Sequence, residues 1–249
     1  RKIRRNIKFN RGEIMLIYGK NVAVEKLKTQ DKINKIYLSD KFKDKEILDL
    51  IEKRNIKIKL LDNHELDKMC KGLHQGIILD VQDIKTYNLD EIIPNINKEY
   101  PLVVILDHLE DPHNFGAIIR SSEAFGVDAI IIPNDRSVDI TSTVVKTSVG
   151  TIEKMKIIKV SNINNAIEKL KKYGYWIVGT DMEGMPYTTI DYKTKIAIVI
   201  GNEGKGISDL VSKNCDYLAK IPMIGTVNSL NASVACGIFL SEISRSRGN

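Results

Sequence analysis

No apolar run in this chain approaches the roughly 20 residues that a bilayer-crossing helix needs, and no secretory leader opens it. Cysteine is scarce: Cys70, Cys215 and Cys236 are the full set, and they form no CxxC pair. An odd count without a leader fits a reducing cytosol, where thiols act as small core residues, so the protein is expected in the cytoplasm. His64, His74, His108 and His113 do not fall beside cysteines or carboxylates at the spacing of a metal site, and no metal is expected. GxGxxG, GxxxxGK[ST] and GxSxG are all missing. Their absence disfavours a dinucleotide-dependent oxidoreductase, a P-loop NTPase and a serine hydrolase. There is no internal repeat and no low-complexity segment.

Positive charge is present but badly distributed for an argument about partners. Residues 1–14 hold six Arg or Lys and one Glu, and so carry +5 of the net charge of +6. A terminal block of this kind is a basic arm able to touch nucleic acid. Met15 is a plausible native start, which makes the arm equally a remnant from outside the native protein. Global charge is therefore no evidence for an RNA partner.

The rest of the chain divides in two. Residues 15–81 alternate helix and strand, with helices expected over 21–28, 44–54 and 63–71 and strands over 35–38, 56–61 and 76–81. In the strand over 56–61, Ile56, Ile58 and Leu60 alternate with lysines as its apolar face. Residues 83–101 carry two prolines, Pro94 and Pro101, and no sustained period, so residues 82–100 are expected as a linker with at most a helical turn near Leu89 to Ile93. Residues 101–249 repeat strand and helix more strictly. Strands are expected over 102–106, 129–132, 157–160, 176–180, 196–200 and 217–221, nearly continuous apolar runs of the kind a parallel sheet buries on both faces. Helices are expected over 116–125, 141–147, 163–173, 207–213 and 230–245. The last is apolar or small almost all the way round, as a helix buried in the domain or between subunits would be.

Three strand-to-loop junctions carry the chemistry. After the strand over 102–106, a polar turn leads to Asn114, Gly116 and Arg120. After the strand over 196–200 comes a glycine-rich loop holding Gly201, Glu203, Gly204 and Gly206. After the strand over 217–221 come Ile221, Pro222 and Met223, a short loop, and then Ser229, Leu230, Asn231, Ser233 and Ala235. Open α/β sheets bind ligands at the carboxyl ends of their strands, and glycine lets backbone approach a ligand closely. Taken singly, each feature has a plainer explanation. An arginine early in a helix is commonly a solvated surface residue, Glu203 can cap the following helix, and Asn231 can cap the last one. His113 offers itself as a base, Asp107 and Asp111 shape the turn, and His74 and Gln75 are candidate RNA contacts.

In that order, the three segments resemble the motifs of the SpoU family of S-adenosylmethionine-dependent RNA ribose 2′-O-methyltransferases. The likeness runs from Met15 onward. The segments IYGKNVAVEKL, HQGIILDV and DPHNFGA are most similar to the bacterial RlmB type, which methylates a guanosine ribose in the peptidyl-transferase P loop of 23S rRNA. Asn202 departs from the pattern, because small residues are common there.

The resemblance implies an α/β fold whose C-terminal parallel-sheet domain is threaded as a deep trefoil knot, with a small N-terminal α/β substrate-binding domain. It implies S-adenosyl-L-methionine as cofactor, lined by Thr180, Gly201, Ile221 and Leu230. Asn114, Arg120, Glu203, Ser229 and Asn231 become the candidate catalytic residues, with Arg120 acting as a fixed cation rather than as a base. The implied partners are RNA, 23S rRNA foremost, and a second copy of the chain, with neither DNA nor a membrane. The rivals are the same reaction on a tRNA or another rRNA site, and a catalytically silent RNA-binding ribosome-assembly protein.

Overall fold

The structure, a computed structural model, describes residues 15–28, 32–70, 72–81, 84–135, 137, 138, 140, 142–148, 150–202, 204–226 and 229–248. The basic arm and Glu203 lie outside the described residues. The chain forms two compact units, Arg1–Asp83 and Ile84–Asn249.

The first unit runs β1 (Met15–Tyr18), α1 (Lys20–Lys28), β2 (Ile33–Ser39), α2 (Lys45–Lys53), β3 (Ile58–Leu61), α3 (Asn63–Met69) and β4 (Ile77–Val81). Its four-stranded sheet has the order β1-β4-β2-β3. Strand β4, apolar but for Asp80, is buried at all five positions and runs antiparallel to β1 and β2, while β3 lies parallel to β2. The carboxyl ends of β1, β2 and β3 therefore share one edge with the amino end of β4. Short side chains start the helices: Asp44 caps α2, and Asp62 and Glu65 close a reciprocal capping box on α3. The apolar face expected of β3 is corrected. Ile58 and Leu60 are 46% and 65% exposed, and Leu61 packs with Leu66 and Ile78 instead. β3 is an edge strand, and only its last residue, Leu61, is covered, by Leu66 of α3.

The second unit begins earlier than the expected linker allows. Within 84–100, β5 (Thr86–Tyr87) joins the larger sheet and α4 (Leu89–Ile92) sinks Leu89 and Ile92 into the core. There follow β6 (Leu102–Leu106), α5 (Pro112–Ala124), β7 (Ala129–Pro133), α6 (Ser142–Thr147), β8 (Ile157–Val160), α7 (Ile163–Lys172), β9 (Trp176–Pro186), β10 (Ile196–Ile200), α8 (Asp209–Asn214), β11 (Tyr217–Lys220) and α9 (Ala232–Arg247). All seven strands are parallel, in the order β11-β9-β10-β6-β7-β8-β5. Strands β6, β7 and β10 are buried at every position, as continuous apolar runs require.

Two boundaries move relative to expectation. β9 continues to Pro186, because β11 re-pairs with Met185 and Pro186 beyond a register shift at Leu218/Ala219. α5 begins at Pro112 rather than Gly116, since Asp111 caps it and proline suits the first helical position. Asn114 therefore sits in the first turn of a helix, not in a turn before it.

Candidate active site

The loops after β10 and β11 meet the middle of β9 and the start of α9 at the carboxyl edge of the second sheet. Together they enclose a cavity of about 830 Å³ whose lining includes Thr180, Gly201, Ile221, Ser229 and Leu230, with Phe239 of α9 among the apolar walls. Four glycines, Gly201, Gly204, Gly206 and Gly225, expose backbone to it. At Gly201 no side chain fits, because a Cβ would overlap the peptide joining Gly206 to Ile207. The loop closes on itself through paired backbone bonds between Asn202 and Gly206 (3.0 and 2.8 Å), and Gly206 takes φ of +67°.

Two residues that the sequence reading treated as minor hold this loop in place. Asn202 accepts from the Gly204 amide at 2.9 Å and donates through Nδ2 to the His108 carbonyl at 3.2 Å. Asp107, 1% exposed, accepts the Ser208 amide on Oδ2 at 2.7 Å and holds His108 Nδ1 at 2.6 Å. A buried carboxylate with both oxygens engaged is a rigid tie. It joins the end of β6 to the start of α8. No local pattern announces it, since Ser208 lies 101 positions along the chain.

On the opposite flank, Asn231 begins α9. Its Oδ1 accepts from the amides of Ser233 (2.9 Å) and Val234 (3.3 Å) and from Ser233 Oγ (2.6 Å). Its Nδ2 donates to Oδ1 of Asn114 at 2.8 Å. The capping role and the site role are therefore one: the cap fixes the amide, and the fixed amide holds buried Asn114. The motif after β6 and the motif after β11 meet here across 117 positions of sequence.

Arg120 stands apart. It is exposed and makes no ion pair or hydrogen bond among the described residues. It lies six residues beyond Asn114 on α5, about 9 Å along the axis and two-thirds of a turn round. Glu203, expected as its anchor, falls outside the described residues.

Residues 101–241 match the model of the SpoU rRNA methylase family. The chain belongs to that family. Residues 16–87 match the model for RNA 2′-O ribose methyltransferase substrate binding. The SpoU resemblance expected from the motifs is thus borne out, and the family is one of S-adenosylmethionine-dependent RNA methyltransferases. YacO of Bacillus subtilis (strain 168), a protein of the TrmH tRNA/rRNA methyltransferase family, is 39% identical over 237 residues, covering 93% of this chain and 95% of YacO. Among solved structures, the SpoU methyltransferase AviRb from Streptomyces viridochromogenes superposes with a TM-score of 0.73 at 23% identity, covering 94% of this chain and 90% of AviRb. An AdoMet-bound rRNA methyltransferase from Sinorhizobium meliloti gives 0.72 at 25% identity, with coverage of 93% and 87%. AviRb supports the fold alone.

Proposed function

We propose that this SpoU protein transfers a methyl group from S-adenosylmethionine to the ribose 2′-hydroxyl of a guanosine in the peptidyl-transferase P loop of 23S rRNA. In this reading, residues 15–81 hold the RNA and residues 101–249 carry the reaction. The observation that carries it is the Asn231–Asn114 hydrogen bond beside the glycine-lined cavity. A silent scaffold needs the cap of α9, but not an amide aimed from that cap at a second buried asparagine, next to residues that line a ligand-sized pocket.

The cavity suits the cofactor. About 830 Å³ lies within the range of small-molecule pockets, and backbone bared at its glycines can meet an adenosine through amides and carbonyls. Thr180, Gly201, Ile221 and Leu230 would hold it there. When bound, the cofactor supplies an electrophilic methyl on a sulfonium. The remaining work belongs to the chain. Asn114, Ser229 and Asn231 position the ribose through neutral hydrogen bonds, since in-line approach is the first requirement of the transfer. An arginine serves as a fixed cation rather than as a base, and Arg120 takes that part. It therefore stabilises negative charge developing on the ribose oxygen and grips the neighbouring phosphate. Glu203 anchors Arg120 or its own loop.

Because Arg120 lies far round α5 from Asn114, we assign it to the cavity of a second copy, which makes the enzyme a homodimer. The outward face of α9, where Val234 is 50% exposed in a recess shared with Tyr187 and Ile238, supports this. The parallel order β11-β9-β10 is compatible with the family's deep trefoil knot. We place the protein in the cytoplasm, where ribosomes are assembled.

The test is to map 2′-O-methyl groups in rRNA and tRNA from cells with and without the gene. Loss of one P-loop guanosine methyl from 23S rRNA is expected. Loss of a methyl from tRNA alone, or no change anywhere, would overturn the assignment.

A further inference from the structure

The first unit holds a cleft of about 840 Å³, lined wholly by its own residues. It opens where β1, β2 and β3 end and β4 begins, the edge at which α/β sheets take ligands. The turn between β2 and α2 supplies Lys41 and Lys43, and the first residue of α2 is Lys45; all three are exposed, and their ammonium groups make no ion pair among the described residues. A nearby lysine behaves differently: Lys20 Nζ lies 3.0 Å from Asp44 and 5.4 Å from the centre of the Phe42 ring. Three unpaired ammoniums within five residues form a local concentration of positive charge that the chain's overall balance conceals.

Charge is only half of the pattern. Phe42 sits among these lysines as a half-buried ring lining the cleft, backed by Gly76, where a Cβ would come within 3.1 Å of it. Leu73, on the facing loop, is 80% exposed. The lip of that loop is fixed at a cost in backbone strain: Gln75 takes φ of +52°, and its Oε1 accepts the Lys20 amide at 2.9 Å. A ring and an exposed leucine amid unpaired lysines match how proteins hold single-stranded nucleic acid, with bases on apolar platforms and phosphates on cations. A duplex would keep its bases stacked away from such a platform. An acidic peptide would satisfy the lysines and leave the ring and Leu73 idle.

We propose that this cleft holds one unpaired nucleotide of the substrate RNA, its base against Phe42 and Leu73 and its flanking phosphates on Lys41 and Lys43. The proposal rests on the methyltransferase reading only in taking the bound RNA to be the RNA that is methylated.

The full chain is photo-crosslinked to an unstructured RNA of about a dozen nucleotides carrying 4-thiouridine, and the labelled peptides are mapped. Label within residues 39–45 or 72–76 is expected, and label confined to other surfaces overturns the proposal. Two variants supply a separate readout. Lys41→Glu with Lys43→Glu should make the log–log salt dependence of affinity shallower by about 1.4, at roughly 0.7 per phosphate contact on a single strand. Phe42→Ala should weaken binding about tenfold with the salt slope unchanged, as loss of one stacked base does. Both should retain the parent's affinity for S-adenosylmethionine. An unchanged slope in the double variant, equal affinity for a blunt duplex of the same length, or displacement by polyglutamate with Phe42→Ala neutral would each sink the cleft. Should the protein methylate no RNA while the crosslinks map to the cleft, the methyltransferase reading fails and the cleft stands. Parent-level KM for rRNA in both variants sinks the cleft alone.

Discussion

Around the cleft of the first unit, side chains make the wall: lysines, a phenylalanine ring, a leucine. Around the cavity of the second unit, four glycines and apolar side chains make it, with Gly201 pressed against the Gly206–Ile207 peptide. Both lie at the carboxyl ends of strands that run the same way, so topology alone does not distinguish them. The lining does. A wall with backbone bared at several glycines fits one molecule closely and offers no side chain to alter at those positions. A wall of long cations tolerates many sequences of one polymer and loses affinity gradually as charges are removed. The two edges suit a fixed cofactor and a variable, charged partner respectively.

The contrast is sharpest where a side chain, not the backbone, must act in the second unit. Arg120→Ala should lower single-turnover methylation by about 10²–10³, the loss typical of removing one charge-stabilising donor. Cofactor affinity should stay within about threefold, and Arg120→Lys should recover only part of the rate. A rate within about threefold of the parent would return Arg120 to the ordinary surface.

Gly201→Ala tests the glycine-bared wall directly. The added methyl has nowhere to go except into the neighbouring peptide, so S-adenosylmethionine affinity measured by calorimetry should fall about a hundredfold. Affinity for unstructured RNA, held by the other unit, should not move. Parent-like cofactor binding would show that the loop is more yielding than its geometry allows.

Much of this layout was legible in the sequence, for a physical reason. Strands buried on both faces must be apolar throughout, so β6, β7 and β10 stand out. The loops behind them carry glycine and asparagine where backbone approaches a ligand or a helix needs a cap. What escaped were features decided by distant partners. Asp107 looked like a turn former because its bond to Ser208 spans 101 positions. β5 is too short for a period of two to show, and β9 outran its apolar core because β11 re-pairs beyond the shift. The separation of Arg120 from Asn114 was concealed by placing the helix start four residues late, although Asp111-Pro112 was there to mark it.

Smaller effects sharpen the account of Asn231. Asn231→Ala removes a helix cap worth roughly 0.5–2 kcal/mol, and the melting temperature should drop by about 2–4 °C per kcal/mol for a chain of this size. Asn231→Asp keeps the capping oxygen but removes the donor to Asn114. It should melt close to the parent and yet methylate more slowly. A melting loss equal to that of alanine would mean that the cap does not hold α9.

Alkaline pH should separate the units most gently. Burial pushes the thiols of Cys215 and Cys236 and the phenol of Tyr175 up to about 12, and raises Tyr192 as well. In the first unit, Tyr37 alone among the described residues is raised this way, by burial and by Asp80. Each group loses its proton more readily unfolded than folded. The stability it contributes is therefore present below its unfolded value, about 8.5 for cysteine and 10 for tyrosine, and is lost as pH climbs toward 12. Trp176, the sole tryptophan, reports on the second unit. Its denaturant midpoint should fall between about pH 8 and pH 10.5, and an unchanged midpoint would contradict the burial of these groups.

Helix α9 runs from Asn231 at the site to Arg247, whose guanidinium takes the carbonyls of Tyr100, Tyr192 and Thr194 at 2.8–3.0 Å. Those carbonyls precede β6 and β10, so the helix crosses the sheet from its carboxyl edge to its amino edge, about 24 Å at 1.5 Å per residue. The order of synthesis gives this a meaning in time. A nascent chain that has just finished β11 owns every strand of the sheet but has no Asn231, no Phe239 wall and no guanidinium gathering the strand starts. If the cavity holds the cofactor as proposed, such a chain has its sheet and lacks part of the pocket. Competence would then arrive with one late helix, and fragments that stop short of α9 should bind no S-adenosylmethionine.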